Sequence, residues 1–298
     1  MANRLRVTEL DFDQIKLNLK SFLKQQKEFS DYDFEGSGLN VLIDLLAYNT
    51  HYNAYYMNML ANESFMDTAL LRDSVVSHAK TLGYTPYSYS APIAYVNVTV
   101  ETGTTGDEQL TIPRGYIFYS DVIDNISYNF VTLDSITVSK VGTQFIFENV
   151  PIYEGQIVSF NYSYSQSTNT RSAFVLPNDN IDTDTLIVSV RPNSTSTNST
   201  VYTKVQDVLD VTADSEVYFL QEVSEGRYEI YFGDGIIGKP LPDGAIVNAQ
   251  FLITTGADAN KANGFIGTGP IGGYYDYFVE TTAIAAGGKV RENVDNIK

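Results

Sequence analysis

Residues 75–100 read VVSHAKTLGYTPYSYSAPIAYVNVTV, and two periodicities meet inside this stretch. Up to Leu82 the apolar positions Leu71, Val75, His78 and Leu82 recur every three or four residues, as on one face of a helix. Gly83 and Pro86 then supply the residues that end helices. From Ala94 the spacing falls to two, with Tyr95-Val96-Asn97-Val98-Thr99-Val100 alternating as a half-buried strand does. The change predicts an α+β chain, with an N-terminal helical domain followed by one or two mainly antiparallel β modules.

Upstream of that junction, Phe12, Ile15, Leu19, Phe22 and Leu23 predict a helix over 11–26, with Asp11 and Asp13 at its positive end. A long helix is expected over about 38–62 and a third over about 66–82. In the long one Leu39, Leu42, Ile43 and Leu46 form an apolar stripe. Its later turns bring together Tyr48, His51, Tyr52, Tyr55 and Tyr56, interleaved with Asn49, Asn53 and Asn58. Two readings fit this face: an inner helix whose phenols are hydrogen-bonded within one domain, or a protein-contact surface. On the second, Tyr48, Asn49, His51, Tyr52, Asn53, Tyr55 and Tyr56 are the interface residues.

Downstream, strands are expected near 94–101, 109–112, 116–120, 128–133, 136–140, 144–148, 157–164, 172–176, 185–191, 200–204, 217–221, 227–232 and 246–254, separated by Gly and Asp-Asn turns. The domain scheme is a helical assembly domain at 1–90, a β-rich domain at 91–180, a second β-rich module at 181–255, and an irregular Gly-rich segment at 256–298.

The chain has 298 residues and 36 Asp+Glu against 19 Lys+Arg, a net charge of −17. The first 90 residues account for only −3 of it. Without clustered basic residues a nucleic-acid groove is not expected. No cysteine is present, which excludes disulfide staples and thiolate chemistry. The N-terminus lacks the apolar core of a signal peptide, so synthesis in the cytoplasm is expected. Asn40 and Asp44 interrupt the run Leu39 to Ala47, so no membrane insertion is expected.

Motifs that could carry chemistry fail their context tests. Asp31-x-Asp33-x-Glu35-Gly36 imitates a calcium loop, but its twelfth position is Leu42, so it reads as a helix start. Gly233-Asp234-Gly235-Ile236-Ile237-Gly238 and Gly267-Thr268-Gly269-Pro270-Ile271-Gly272 match a dinucleotide fingerprint, yet no helix is expected after either. Gly233, Asp234, Gly235 and Gly238 therefore read as a structural turn. His51 and His78 have no metal-ligand spacing, and His78 reads as an imidazole hydrogen-bonded at a helix seam. No Gly-x-Ser-x-Gly elbow occurs. Neither a catalytic residue nor a cofactor or metal site is expected.

The run from Phe29 through Tyr56, continuing through Asn58 to Glu63 and Val75 to Pro86, resembles the N-terminal region of the baseplate wedge subunits of T-even-like contractile-tailed phages. Ile112-Pro113-Arg114-Gly115 and Phe232-Gly233-Asp234-Gly235 with Gly238 resemble turns of the wider baseplate-J-like group. The resemblance implies a non-enzymatic virion protein of the tail baseplate, in which two copies join other wedge proteins around a central hub and help transmit sheath contraction. Sheath-proximal and hub proteins are further implied neighbours. Family members run longer than the segment ending at Lys298, so the resemblance implies a fragment, a truncated form or a short version of such a subunit. The alternative is a tail-associated receptor- or carbohydrate-binding module, its tyrosines stacked on sugars.

Overall fold

The computed structural model describes residues 11–26, 37–103, 106–123, 125–168 and 171–298. The calcium-loop imitation at 31–36 lies outside them. Elements group into a helical unit, Met1–Tyr84 with Val294–Lys298, and a β unit, Thr85–Asn293.

In the helical unit α1 spans Phe12–Leu23, α2 Gly38–Glu63, α3 Arg72–Thr81 and α4 Val294–Ile297. The side chain of Asp11 caps α1 by accepting from Gln14 N at 3.1 Å, and Ser37 Oγ caps α2 by accepting from Asn40 N at 3.1 Å. Helix α3 starts six residues later than the periodicity suggests. The carboxylate of Glu63 explains this, because it accepts the N–H of Leu70 (2.9 Å) and Leu71 (3.3 Å) and so marks the helix start. The buried face of α3 is Val75, Val76 and Ala79, closed by Ile297 of α4, while Leu71 and Leu82 are exposed.

The β unit contains β1 (Ile93–Glu101), β2 (Gln109–Ile112), β3 (Ile117–Tyr119), β4 (Asn129–Val131), β5 (Ile136–Ser139), β6 (Gln144–Glu154), β7 (Gln156–Ser163), β8 (Ala173–Val175), β9 (Ile181–Arg191), β10 (Thr200–Lys204), β11 (Val217–Glu222), β12 (Tyr228–Phe232), β13 (Ile246–Ile253), β14 (Ile266–Gly267) and β15 (Tyr277–Ala286). One six-stranded sheet runs β14-β3-β4-β6-β1-β15, a seven-stranded sheet runs β7-β13-β9-β10-β11-β12-β8, and β2 pairs with β5. Every pairing is antiparallel except β10 with β11. The fold is therefore α+β.

Alternation dictates the first core: Ala94, Val96, Val98 and Val100 of β1 are all fully buried beside Phe118, Phe130, Phe145 and Phe147. That sheet curls until Tyr277 OH of its edge strand donates to Gly269 O at 2.9 Å, the same carbonyl that Tyr116 OH reaches from just before β3. The second sheet curls likewise, with Tyr162 OH on β7 donating to Val175 O on β8 at 3.0 Å. Its core gathers Leu176, Ile181, Val188, Tyr228, Ile230 and Phe251.

The sheets do not follow the expected boundaries at 180 and 255. The chain passes from the first sheet to the second at Gly155, between β6 and β7, and returns after β13. The segment 256–298, expected to be irregular, supplies β14 and β15 to the first sheet and α4 to the helical unit. Its Ala- and Gly-rich composition hides a strand that exists through pairing with β1, since cross-strand packing outweighs intrinsic β preference. Strand β6 also continues past its expected end at 148. Asn149 adopts φ 50° there, its N–H donates to Asn97 Oδ1 at 2.8 Å, and the ladder resumes beyond this bulge.

The β1–β15 pairing extends beyond both strands as a two-stranded ribbon. After Ile93 opposite Ala286, Ser90 and Lys289 exchange two N–H···O bonds of 3.0 Å, and Glu292 N donates to Tyr87 O at 3.1 Å. Buried polar groups clamp the entering chain: Asp182 Oδ2 accepts Ala91 N at 2.8 Å, Thr183 N donates to Ser88 Oγ at 2.9 Å, and Tyr228 OH donates to Pro86 O at 3.0 Å. Burial holds the carboxyl of Asp182 above the usual aspartate range, and Glu154, which accepts from Thr254 Oγ1 and Thr255 N, is raised for the same reason.

Candidate assembly surface

Helix α2 is 26 residues long, about 39 Å at 1.5 Å per residue. Its buried residues are Asn40, Ile43, Ala47, Ala54 and Asn58, in which Ile43 is the one large apolar side chain. Helix α1 packs on α2, tied by an ion pair between Lys16 Nζ and Asp44 Oδ1 at 2.5 Å. The other large apolar side chains point elsewhere. Leu42 and Leu46, of the predicted apolar stripe, are 54% and 55% exposed, and Val41, Leu45, Met57, Met59 and Leu60 are exposed too. Among the described residues α1 alone is too narrow to cover them. These exposed apolar side chains make α2 a candidate contact surface.

The aromatic residues of the face form one array along the helix. Tyr48 and Tyr52 rings lie 4.6 Å apart with their hydroxyls 3.0 Å apart, His51 meets Tyr52 edge-on at 5.9 Å, and Tyr56 is 6.4 Å from Tyr52 and 5.9 Å from Tyr55. Asn53 Nδ2 donates to Asn49 Oδ1 at 3.1 Å. Tyr48, Asn49, Tyr52, Asn53, Tyr55 and Tyr56 are exposed, and His51 is half-buried. The hydrogen bond to Tyr48 raises the Tyr52 phenol above its ordinary pKa. Ring contacts between neighbouring turns hold these side chains against one another.

At the far end of α2, His78 Nε2 lies 2.9 Å from Glu63 O, so the imidazole links α3 to the helix terminus. Burial pushes the carboxyl of Glu63 up, but hydrogen bonds from Leu70, Ser74 and Leu71, together with Lys298, outweigh it and leave the pKa below the usual 4.5. A carboxylate depressed in the folded state contributes stability that is present above its unfolded pKa and is lost as pH falls through the folded value. Acidification from neutral pH through 4.5 and below should thus weaken the helical unit, and Glu63→Gln should remove that part of the pH dependence while lowering stability at neutral pH. Circular dichroism melts across the pH series decide it; parallel profiles for both proteins would refute the capping role.

The second motif is a tight turn. Asp234 Oδ1 accepts the N–H of Ile236 (2.9 Å) and Ile237 (3.1 Å), Gly235 N donates to Gly238 O at 3.0 Å, and Gly238 N donates to Thr212 O at 3.0 Å. These backbone donors hold the Asp234 carboxyl below its usual range. No helix follows, since the chain runs through Pro240 and Pro242 into β13. The pyrophosphate site of a dinucleotide fold needs a helix there. The turn at 267–272 similarly lies between two strands. Among the described residues no group of three or more His, Asp or Glu is placed to hold a metal ion, and no helix is long and apolar enough to cross a membrane.

Residues 11–84 match the family described as baseplate wedge protein gp6-like, helical domain. A curated relative, baseplate wedge protein gp6 of Enterobacteria phage T4, is 34% identical over 271 residues, an alignment taking in 85% of this chain and 40% of that protein. The chain therefore spans well under half the length of this relative. A chain of the cryo-EM structure of the anti-feeding prophage (AFP) baseplate, 6-fold symmetrised, aligns with 99% of this chain and 59% of its own at 13% identity and a TM-score of 0.31, too distant a likeness to carry the fold. Residues 11–84 thus belong to the gp6-like baseplate wedge helical-domain family, on a chain related along most of its length to a T4 baseplate wedge protein.

Proposed function

We propose that the chain is a structural subunit of a phage tail baseplate wedge, located in the virion and engaged in assembly. The observation that carries this reading is that the family match covers the helix whose large apolar and aromatic side chains face outward. Helices of a second copy and of another wedge protein are the partners that suit such a surface, because apolar and aromatic burial dominates obligate interfaces, which commonly exceed about 2,000 Å². In this role the chain breaks no bond. The β unit meets neighbouring tail proteins and helps pass on movement during sheath contraction.

Coexpression with the neighbouring tail proteins of the same phage tests the proposal. A stable complex of fixed stoichiometry is expected by size-exclusion chromatography with light scattering. A monodisperse monomer that binds glycans and ignores those proteins would support the adhesin alternative instead.

A further inference from the structure

Strand β15 forms one edge of the first sheet, and its side away from β1 is open. Strand β1 binds it through alternate residues: Glu101 N donates to Asp276 O at 3.0 Å, and Thr99 opposite Phe278 and Asn97 opposite Glu280 continue that pattern. The N–H and C=O groups of Tyr277, Val279 and Thr281 therefore point away from β1. No strand pairs with them among the described residues. Farther along, the same side is already taken, since Lys261 N donates to Ala285 O at 2.7 Å and Ala285 N to Ala262 O at 2.9 Å, and Ala285 is buried. Just before it, Thr282, Ala283 and Ile284 are exposed in succession, so solvent reaches both faces of the strand there.

Edge strands in native proteins are kept short, blunted by Lys, Pro or a bulge, or covered. The opposite edge, β14, is two residues long. Strand β15 has ten residues with neither Lys nor Pro, and its register with β1 is regular from Tyr277 to Thr281. Phe278 on its outer face is 68% exposed, in line with Thr99 and Ile146 of the next two strands. Charge then selects the strand that fits. Strands β1, β6 and β15 contain no Lys, Arg or His, whereas Glu101, Glu148 and Glu280 are exposed and take part in no ion pair among the described residues. A second copy adding its own β15 would set this acidic edge against itself, and like charges directly opposite are destabilising. A strand bearing Lys or Arg meets both demands, because its backbone fills the ladder, its charge answers the carboxylates and its methylene stem covers Phe278.

We infer that the open edge of β15 takes an extended, basic segment of another protein as an added strand, bonded to the backbone of Tyr277, Val279 and Thr281, with Lys or Arg side chains on the outer face beside Phe278 and Glu280. The inference is independent of the wedge reading, since it rests on the β unit alone.

The test is amide hydrogen exchange of the full chain, read residue by residue by NMR at constant ionic strength, with two peptides: acetyl-Thr-Val-Lys-Val-Lys-Val-Thr-amide and the same sequence with Glu for Lys. In the free chain the amides of Tyr277, Val279 and Thr281 should exchange faster than those of Phe278 and Glu280, which β1 holds. With the Lys peptide at about ten times its dissociation constant those three should slow about tenfold, and the Glu peptide should leave them unchanged. Thr281→Pro removes an outward N–H that β1 does not use, so it should abolish the response. Glu280→Lys, at an exposed position, should turn the preference toward the Glu peptide, and it serves where the proline variant does not fold. Equal slowing with both peptides, slowing with neither, or a preference unmoved by Glu280→Lys overturns the proposal. So does slowing without peptide that grows with protein concentration, which assigns the edge to a second copy.

Discussion

Replacing Tyr52 and Tyr55 by alanine should dissolve the wedge complex while leaving the isolated chain folded. Both side chains are largely exposed, at 42% and 53%, so neither supports the core of its own unit. Substitutions at exposed positions away from special features usually change stability by less than about 0.5 kcal/mol. Buried tyrosines at the centre of an interface behave differently, commonly costing about 2 kcal/mol or more each on truncation, close to a thirtyfold loss of affinity per residue. Tyr52 also holds the array together through Tyr48, His51 and Tyr56, so the double variant removes contact area and preorganisation at once. Light scattering of the coexpressed complex, beside circular dichroism of the isolated variant, gives the comparison. Undiminished assembly would take these tyrosines out of the interface; a collapsed melting curve of the isolated variant would mean that they serve their own fold.

The second large effect is expected from Gly233→Ala. A Cβ at this position would stand 2.2 Å from both the carbonyl carbon and oxygen of Gly238 and 2.5 Å from its Cα. All three are backbone atoms, so no rotamer can relieve the clash. The turn must open instead, endangering the Gly235–Gly238 and Gly238–Thr212 bonds together. A loss of about 3 kcal/mol is expected, or roughly 10 °C in Tm for a unit of this size. Gly244→Ala supplies the contrast. Its φ is +81° but nothing lies within 4 Å of a Cβ there, so it should cost about 1 kcal/mol through backbone strain alone. Thermal unfolding of both variants separates the two causes, and equal melting points would show that the turn is looser than its geometry indicates.

Much of this fold was legible in the sequence because the signals were local. The switch from a period near 3.6 to a period of two located the passage from helices to strands within a few residues of Tyr84. Asp11 at the start of α1 and the Asp234 turn also rest on neighbours in sequence. What was not legible depends on partners distant along the chain. Strand β15 exists because β1 accepts it across some 180 residues, and the shortened α3 depends on Glu63. Side-chain orientation on α2 was hidden for another reason: periodicity shows which residues share a face, but the choice of buried face is made by whatever packs there. Leu42 and Leu46 satisfy the helical pattern equally well turned inward or outward. In the same way Ile112-Pro113-Arg114-Gly115 was recognisable as a turn, whereas the bonds of Arg114 to Ser135 and Leu133 emerged only once those residues were brought beside it.

The zipped ends of the β unit bear on how such a chain can change over evolutionary time. Entrance and exit sit one hydrogen bond apart at Ser90 and Lys289, so everything between them behaves as a cassette on a single docking port. Lineages can lengthen, trim or replace that cassette without re-routing the polypeptide that flanks it, because domains with adjacent termini tolerate insertion and exchange.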